Sequence, residues 1–389
     1  MSIRDSVKLF GPAWIALLAD ADAASIIGGL STGEEYGYKL IWFVLVLAIP
    51  LFIIQEASGR LGAVTNLGIG ELIRKYYSKK ISFLSIIPIF FVDFFTYLSE
   101  YTGIAIGSYL IGINPLIGLL IFFIIHIIII STKNYERTER ALIAISFILL
   151  ISALIVAEPK LYFTNNIFYF STSKNFLFFL AVNIGAVVTP PCMLIYQSSA
   201  TAIKYSKLNI SISEKVKWTN IETIIGAIVT ELTIVFSEII GTLIKNVEPT
   251  NPMQLMKSLG VIHVIFGVLL ISAGFLTLIV VSLSSAWGIL EALDKNNYKN
   301  VFKIYVIESI PALIILLIIS NNYSVILNFA LTLLSLSPIV IAFPAILIGI
   351  LISNKRIMRD YAYGKIRLFI YFLTIGLIVI GGLIGFLYL

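Results

Sequence analysis

The chain has 389 residues, 59% of them hydrophobic and 12% charged, with a mean hydropathy of +1.00. A soluble protein carries about twice that charged fraction; no soluble domain of useful size fits between the apolar runs, and the net charge of +6 is not a nucleic-acid signature here. A single cysteine, Cys192, excludes an internal disulfide and any paired-cysteine metal motif.

Apolar runs of about 20 residues, the length that crosses a bilayer as a helix, recur from end to end. They predict an all-α polytopic membrane protein with eleven spans, at about 9–31, 40–63, 83–111, 114–131, 140–157, 175–199, 219–244, 259–288, 301–320, 323–352 and 367–388. The first run is not a cleavable signal, because two acids interrupt it and no small-residue cleavage site follows. Sorting the 27 Lys and Arg by alternate loops leaves only Lys39, Lys160, Lys174, Lys245 and Lys257 on one side. By the positive-inside rule the N-terminus is then cytoplasmic and the C-terminus outside. Trp42 and Trp218 fall near span ends, as interfacial anchors do.

An isolated charge in a span costs roughly 2.5–3.5 kcal/mol on insertion scales, so each one needs a partner or a job. Span one, "LLADADAASIIGG", carries Asp20 and Asp22; span two carries Glu56 and Arg60; span three carries Asp93 and Glu100. Span seven adds Glu222, Glu231 and Glu238, and span nine adds Glu308. Acids so outnumber bases that a cation path or a proton relay is expected. In span six, "NIGAVVTPPCMLIYQSS", Pro190 and Pro191 remove two backbone donors and free the carbonyls around Ala186 and Val187. Interrupted helices at matching places in two halves point to the midplane site of an inverted-repeat transporter. Spans one to five (9–157) and six to ten (175–352) form the repeats, of opposite orientation, with 367–388 appended, in one domain, 1–389. At about 100° per residue, Asp20 and Asp22 point to opposite faces of an intact helix, whereas Asp22 and Ser25 share one. Asp22 is thus the better ligand, and Asp20 meets another neighbour or a vestibule.

The stretches "GPAWIALLADADAAS", "EEYGYKLIWFVLVL", "IQEASGRLGAVT", "EYTGIAIGSYL", "GAVVTPPC", "SAGFLTLIVVSLSSAWG" and "FPAILIGILISNKRIM" follow one another in an order that resembles the Nramp family of divalent-metal transporters. The resemblance covers nearly the whole chain. It implies a LeuT-like 5+5 inverted repeat with interrupted first and sixth helices. It also implies a metal site at Asp22, Ser25, the Ala186 carbonyl and Thr189; Asp20, which has no family counterpart, and Cys192 and Met193, three and four residues after Thr189, are further candidates read from the sequence itself. The family's Pro-Gly after its aspartate is Ala23-Ala24 here, which leaves the unwinding of span one open. Its metal-binding methionine falls on Thr189, the histidine two later on Pro191, and a span-three aspartate on Tyr97, while the glutamate is kept as Glu100.

A hydroxyl is a hard ligand that suits Mg²⁺ as well as Mn²⁺, whereas a thioether favours softer metals. The pattern is similar to the Nramp-related branch associated with magnesium transport; Cys192 or Met193 restoring softness is the rival. Glu100, Asp93, Arg60 and Glu222 are candidates for a proton or ion path, Glu100 and Asp93 as a relay, and Arg60 alternatively as a structural partner of Glu100. Glu222, Glu231 and Glu238 line a path or form a polar seam with Glu308; His126 and His263 are read as satisfied interior histidines. The expected function is divalent-cation transport, with proton coupling open, no resident cofactor, and the cation and the lipid bilayer as partners. No nucleic-acid or obligate protein partner is expected, and the setting is a prokaryotic cell membrane. The alternatives are an amino-acid carrier of the same fold and a non-transporting sensor; an intramembrane hydrolase, and enzyme chemistry generally, ranks lowest.

Overall fold

The computed structural model describes residues 8–131, 134–157, 168–187, 192–244, 247, 251–319 and 337–388, with single positions 325, 328, 332 and 335. In chain order its helices are α1 (Pro12–Leu18), α2 (Ala23–Tyr36), α3 (Ile41–Thr65), α4 (Ile69–Tyr76), α5 (Lys79–Leu110), α6 (Pro115–Ser131), α7 (Tyr135–Ala157) and α8 (Lys174–Val187). Then follow α9 (Cys192–Tyr205), α10 (Ile212–Gly241), α11 (Pro252–Leu259), α12 (His263–Leu293), α13 (Tyr298–Ile319), α14 (Ala342–Ser353), α15 (Lys355–Met358) and α16 (Lys365–Tyr388).

Among the described residues, seven helical segments are long and apolar enough to cross a membrane alone. Two further pairs pass together although sharply bent: α1 with α2, by 48°, and Ser337–Ser353 with Lys355–Tyr361, by 64°. The shorter apolar helices α6 and α8 complete the set, in the order that the sequence predicts. The fold is all-helical and membrane-spanning.

Burial grades the helices from centre to rim. The most apolar window of Pro252–Leu293 is 83% buried and that of α10 is 67%, against 33% for Lys299–Ile319. Lipid tails are as apolar as leucine, so close helix contact depends on small residues that let backbones meet. Two such seams run through the centre. On the first, a Cβ added at Gly107 of α5 would lie 2.7 Å from the Gly267 carbonyl of α12, and one at Gly274 would lie 2.7 Å from the Glu100 carbonyl. On the second, α2 against α10, a Cβ at Gly33 would fall 1.8 Å from the Glu238 carbonyl, and one at Gly241 2.1 Å from the Leu30 carbonyl. The outer faces stay apolar, with Ile49, Ile124, Ile151 and Leu377 all more than half exposed to the lipid side.

Three details depart from the sequence reading. Helix α10 starts at Ile212, well before 219, because Ser211 and Glu214 make a capping box: the Glu214 amide donates to Ser211 Oγ at 3.3 Å, and Ser211 Oγ donates to Glu214 Oε2 at 3.0 Å. Helix α4 was not expected; it buries Ile69, Leu72 and Ile73 and is too short to span. His263 is not interior: it opens α12, half-buried, with Nδ1 2.6 Å from the Gly260 carbonyl. His126 is buried among the rings of Tyr101, Phe123 and Tyr305, and among the described residues neither of its nitrogens has a hydrogen-bond partner.

The α2–α10 seam predicts that Gly33→Ala forces the two backbones apart and destabilises the protein by about 1–3 kcal/mol, the usual cost of overpacking. Gly364→Ala, whose added Cβ meets nothing within 4 Å, leaves the thermal unfolding midpoint in detergent unchanged.

Candidate cation site at the broken first helix

The first span breaks without the Pro-Gly pair. Helix α1 ends at Leu18 and α2 begins at Ala23, with Asp22 in extended backbone (φ −73°, ψ 175°) as the N-cap of α2. Asp22 Oδ1 accepts from the Ser25 amide at 2.6 Å. The neighbours explain why the break holds. Each carbonyl that an intact helix would bond must find another donor, because lipid offers none. Thr277 Oγ1 donates to the Ala19 carbonyl at 2.6 Å, and Thr230 Oγ1 donates at 2.7 Å to the Leu17 carbonyl, which also takes the Asp20 amide at 3.0 Å; within α2, Ser237 Oγ donates to the Ile26 carbonyl at 2.5 Å. On the amide side, Glu100 Oε2 accepts from the Ala23 amide at 3.1 Å. Side chains of α5, α10 and α12 therefore do what the family's Pro-Gly would do locally.

The end of α8 meets this break. Ser25 Oγ donates to the Ala186 carbonyl at 3.3 Å, joining α2 to the last turn of α8. Ser337 Oγ donates to the Gly185 carbonyl at 3.2 Å, and Asn183 Nδ2 donates to Thr32 Oγ1 at 3.2 Å. Asp22, Ser25, Ala186 and Glu100 are all at most 2% exposed. Thr189, Pro190 and Pro191 lie outside the described residues, as does the side chain of Cys192; Met193 packs into the apolar core.

Asp22 and Glu100 lie within electrostatic reach of each other. Among the described residues, neither has a Lys or Arg within ion-pair distance, and Glu100 Oε1 has no hydrogen-bond partner. The amino end of α2, worth about half a charge, supplies positive field to both. The two carboxylates, the Ser25 hydroxyl and the Ala186 carbonyl bring several oxygens together at the amino end of α2.

The remaining acids of the spans go to separate places. Asp20, fully buried, lies within electrostatic reach of Glu231 of α10. Arg60 does not pair with Glu100: its Nε donates to Glu56 Oε1 at 2.8 Å, four residues back on the same helix. Asp93 and Glu100 each have a neighbour of their own. Asp93 lies near Tyr97, whose hydroxyl donates to Glu308 Oε2 at 3.0 Å, whereas Glu100 turns to Ala23. Glu222 belongs to no seam with Glu308. Its Oε1 accepts from the Gly11 amide at 2.6 Å and the Trp14 amide at 3.0 Å, capping α1. Gly11 is held at φ +142°, a backbone that side chains rarely adopt, and a Cβ there would meet Glu139 Oε1 at 2.5 Å.

The sequence reading did not single out Thr230 and Thr277. No sequence signal marks them, since most span hydroxyls bond their own helix, as Thr32 does to Gly28 and Thr102 to Leu98.

A family model described as natural resistance-associated macrophage protein-like matches residues 13–387. The divalent metal cation transporter MntH of Bacillus subtilis (strain 168) is 30% identical over 152 residues, which is 38% of this chain and 36% of that protein. MntH of Klebsiella pneumoniae (strain 342) is 24% identical over 200 residues, 49% of this chain and 48% of that one. The chain thus spans less than half the length of these curated relatives. A crystal structure of the Eremococcus coleocola manganese transporter, 18% identical, superposes with a TM-score of 0.80 over 98% of this chain and 86% of that one, so the fold is shared.

Thr277→Val is expected to leave the Ala19 carbonyl without its donor. The cost is about 1–3 kcal/mol, that of one buried unsatisfied polar group, read as a lower unfolding midpoint. Thr102→Val, which removes only a bond within its own helix, is expected to cost clearly less.

Proposed function

As the chain belongs to the natural resistance-associated macrophage protein (Nramp) family, we propose that it carries divalent metal cations across the membrane by alternating access. The ion rests near the bilayer midplane, between the break in α1–α2 and the end of α8. The observation that carries this reading is the pair of buried carboxylates, Asp22 and Glu100, beside the Ser25 hydroxyl and the Ala186 carbonyl, with no base within ion-pair distance among the described residues.

On ion entry the Ser25 hydroxyl hydrogen turns away from Ala186, so that both oxygens face the metal. Asp22 neutralises charge directly. Glu100 adds field from the next helix, and Thr189 supplies a further oxygen. An all-oxygen set lacks the thioether that discriminates against hard cations, so Mg²⁺ is a substrate alongside Mn²⁺. Mg²⁺ dehydrates reluctantly and keeps several waters, so the site holds it through part of that shell. The names of the relatives, divalent metal cation and manganese transporters, agree with this class of cargo.

Alternating access requires α1 to swing, and its amino end is tied. Glu222 caps it, the Lys204 ammonium bonds the Phe10 carbonyl and pairs with Glu139 at 2.8 Å, and Trp14 Nε1 donates to Ser146 Oγ at 2.8 Å. These ties belong to the state in which this end is shut. An amino-acid carrier of the same fold is disfavoured, because a substrate carboxylate would meet Asp22 and Glu100 at the amino end of α2. Uniport is favoured over proton symport by Pro191 and Tyr97, which stand where the family has a histidine and an aspartate.

In proteoliposomes, Mg²⁺ and Mn²⁺ influx is expected for the wild type and to fall at least about tenfold for Asp22→Ala, the equivalent of ~1.4 kcal/mol in barrier. Excess Mg²⁺ should suppress Mn²⁺ uptake; Mn²⁺ influx indifferent to Mg²⁺ would defeat the hard-ligand argument. An internal pH dye in the same vesicles should stay silent during uptake, and acidification in step with metal entry would establish coupling instead.

A further inference from the structure

Glu56, the partner of Arg60, is not used by the cation site and lines a separate cleft. The cleft, of about 210 Å³, opens between α3, α10 and α16 and is lined by Glu56, Asn220, Tyr363 and Arg367, with Phe52, Ile53 and Ile370 as its apolar walls. It lies on the side of the molecule expected to hold all but five of the 27 Lys and Arg.

The charges in the cleft are unequally matched. Glu56 is consumed: Arg60 Nε donates to it at 2.8 Å, the Tyr363 hydroxyl donates to its other oxygen, and Asn220 Nδ2 lies at 3.4 Å. The Tyr363 ring is flanked by the guanidinium of Arg60 at 5.4 Å and that of Arg367 at 5.9 Å. Arg367 is exposed and, among the described residues, has no carboxylate within ion-pair distance. The mouth of the cleft therefore keeps one uncompensated fork of donors, the geometry that suits a phosphate. Lys365, two residues earlier, is also exposed and adds positive field.

Below the mouth the walls are apolar and continue toward the membrane centre. On α3, Ile49 lies about one turn beyond Phe52 and Ile53 and is 60% exposed. On α16, Leu373 and Leu377 follow Ile370 at helical spacing and are 49% and 60% exposed. A cationic mouth over an apolar trough fits an amphiphile with an anionic head. We propose that this cleft binds an anionic phospholipid, its phosphate on Arg367 and an acyl chain between α3 and α16. A zwitterionic lipid fits less well, because Glu56, the acid that its ammonium would need, is already engaged. Free phosphate fits the mouth and leaves the trough empty. Basic pockets between membrane helices are a general means of headgroup recognition.

The full-length protein in detergent, titrated with palmitoyl-oleoyl phosphatidylglycerol or phosphatidylcholine and read by native mass spectrometry, tests this. Phosphatidylglycerol is expected to bind at least about tenfold more tightly, a difference of ~1.4 kcal/mol. Arg367→Gln should abolish that preference, Arg367→Lys should keep part of it, and Arg356→Gln, an exposed cation of the preceding segment outside the cleft, should leave it intact. Equal affinity for the two lipids, equal loss in Arg356→Gln, or displacement by inorganic phosphate at the same concentration as lipid would each overturn the proposal. All variants replace exposed side chains, and an unchanged unfolding midpoint confirms that the protein compared is folded.

Discussion

The amino end of α2 carries two acids that, among the described residues, have no base within ion-pair distance. Asp22 caps the helix from within and Glu100 caps it from α5, both buried and within reach of each other. A charge in a bilayer is costly unless paired, and two like charges together are worse. A divalent cation is the counter-charge that cancels both at once. In the proposed account cargo relieves the repulsion between the two acids, and the surrounding fold keeps them from relaxing away.

That requirement explains where the hydroxyls sit. A broken helix inside a membrane exposes carbonyls and amides that must be satisfied by protein. Thr230 of α10 and Thr277 of α12 reach across to do so, from the two most buried of the candidate spans among the described residues. The glycine seams bring those helices close enough for one-carbon hydroxyl side chains to bridge the gap. The break is thus a property of three helices packed together, and the local residues Ala23 and Ala24 permit it without causing it. Glu222 and Lys204 hold the far end of α1 by the same logic, taking backbone groups that a helix end leaves open.

Length and hydropathy were enough to read the spans, because a bilayer imposes one length on every crossing helix. The isolated acids in span one drew the eye for the same reason, since an acid in an apolar run needs a partner or a job; the structure gives Asp22 a place as the N-cap of α2. Partner choice was not legible. Arg60 lies within reach of several acids in sequence terms, and only the helical geometry of α3 selects Glu56, four residues back. Asp93 and Glu100 share a helical face by spacing, yet the long α5 carries them past different neighbours. The three glutamates of α10 read as one seam and serve three surroundings: the cap of α1, Asp20, and the region beside Leu40. The bridging threonines left no trace at all, since a span threonine that serves another helix has the same local sequence as one that bonds its own.

The most direct test of the central claim is anomalous diffraction from crystals of the protein grown or soaked with Mn²⁺. The account predicts a single strong peak inside the membrane, within coordinating distance of the Asp22 carboxylate and the Ala186 carbonyl, and its loss in Asp22→Asn. A peak at Asp20 and Glu231, or beside Asp93 and Glu308, with the region around Asp22 vacant, would contradict it.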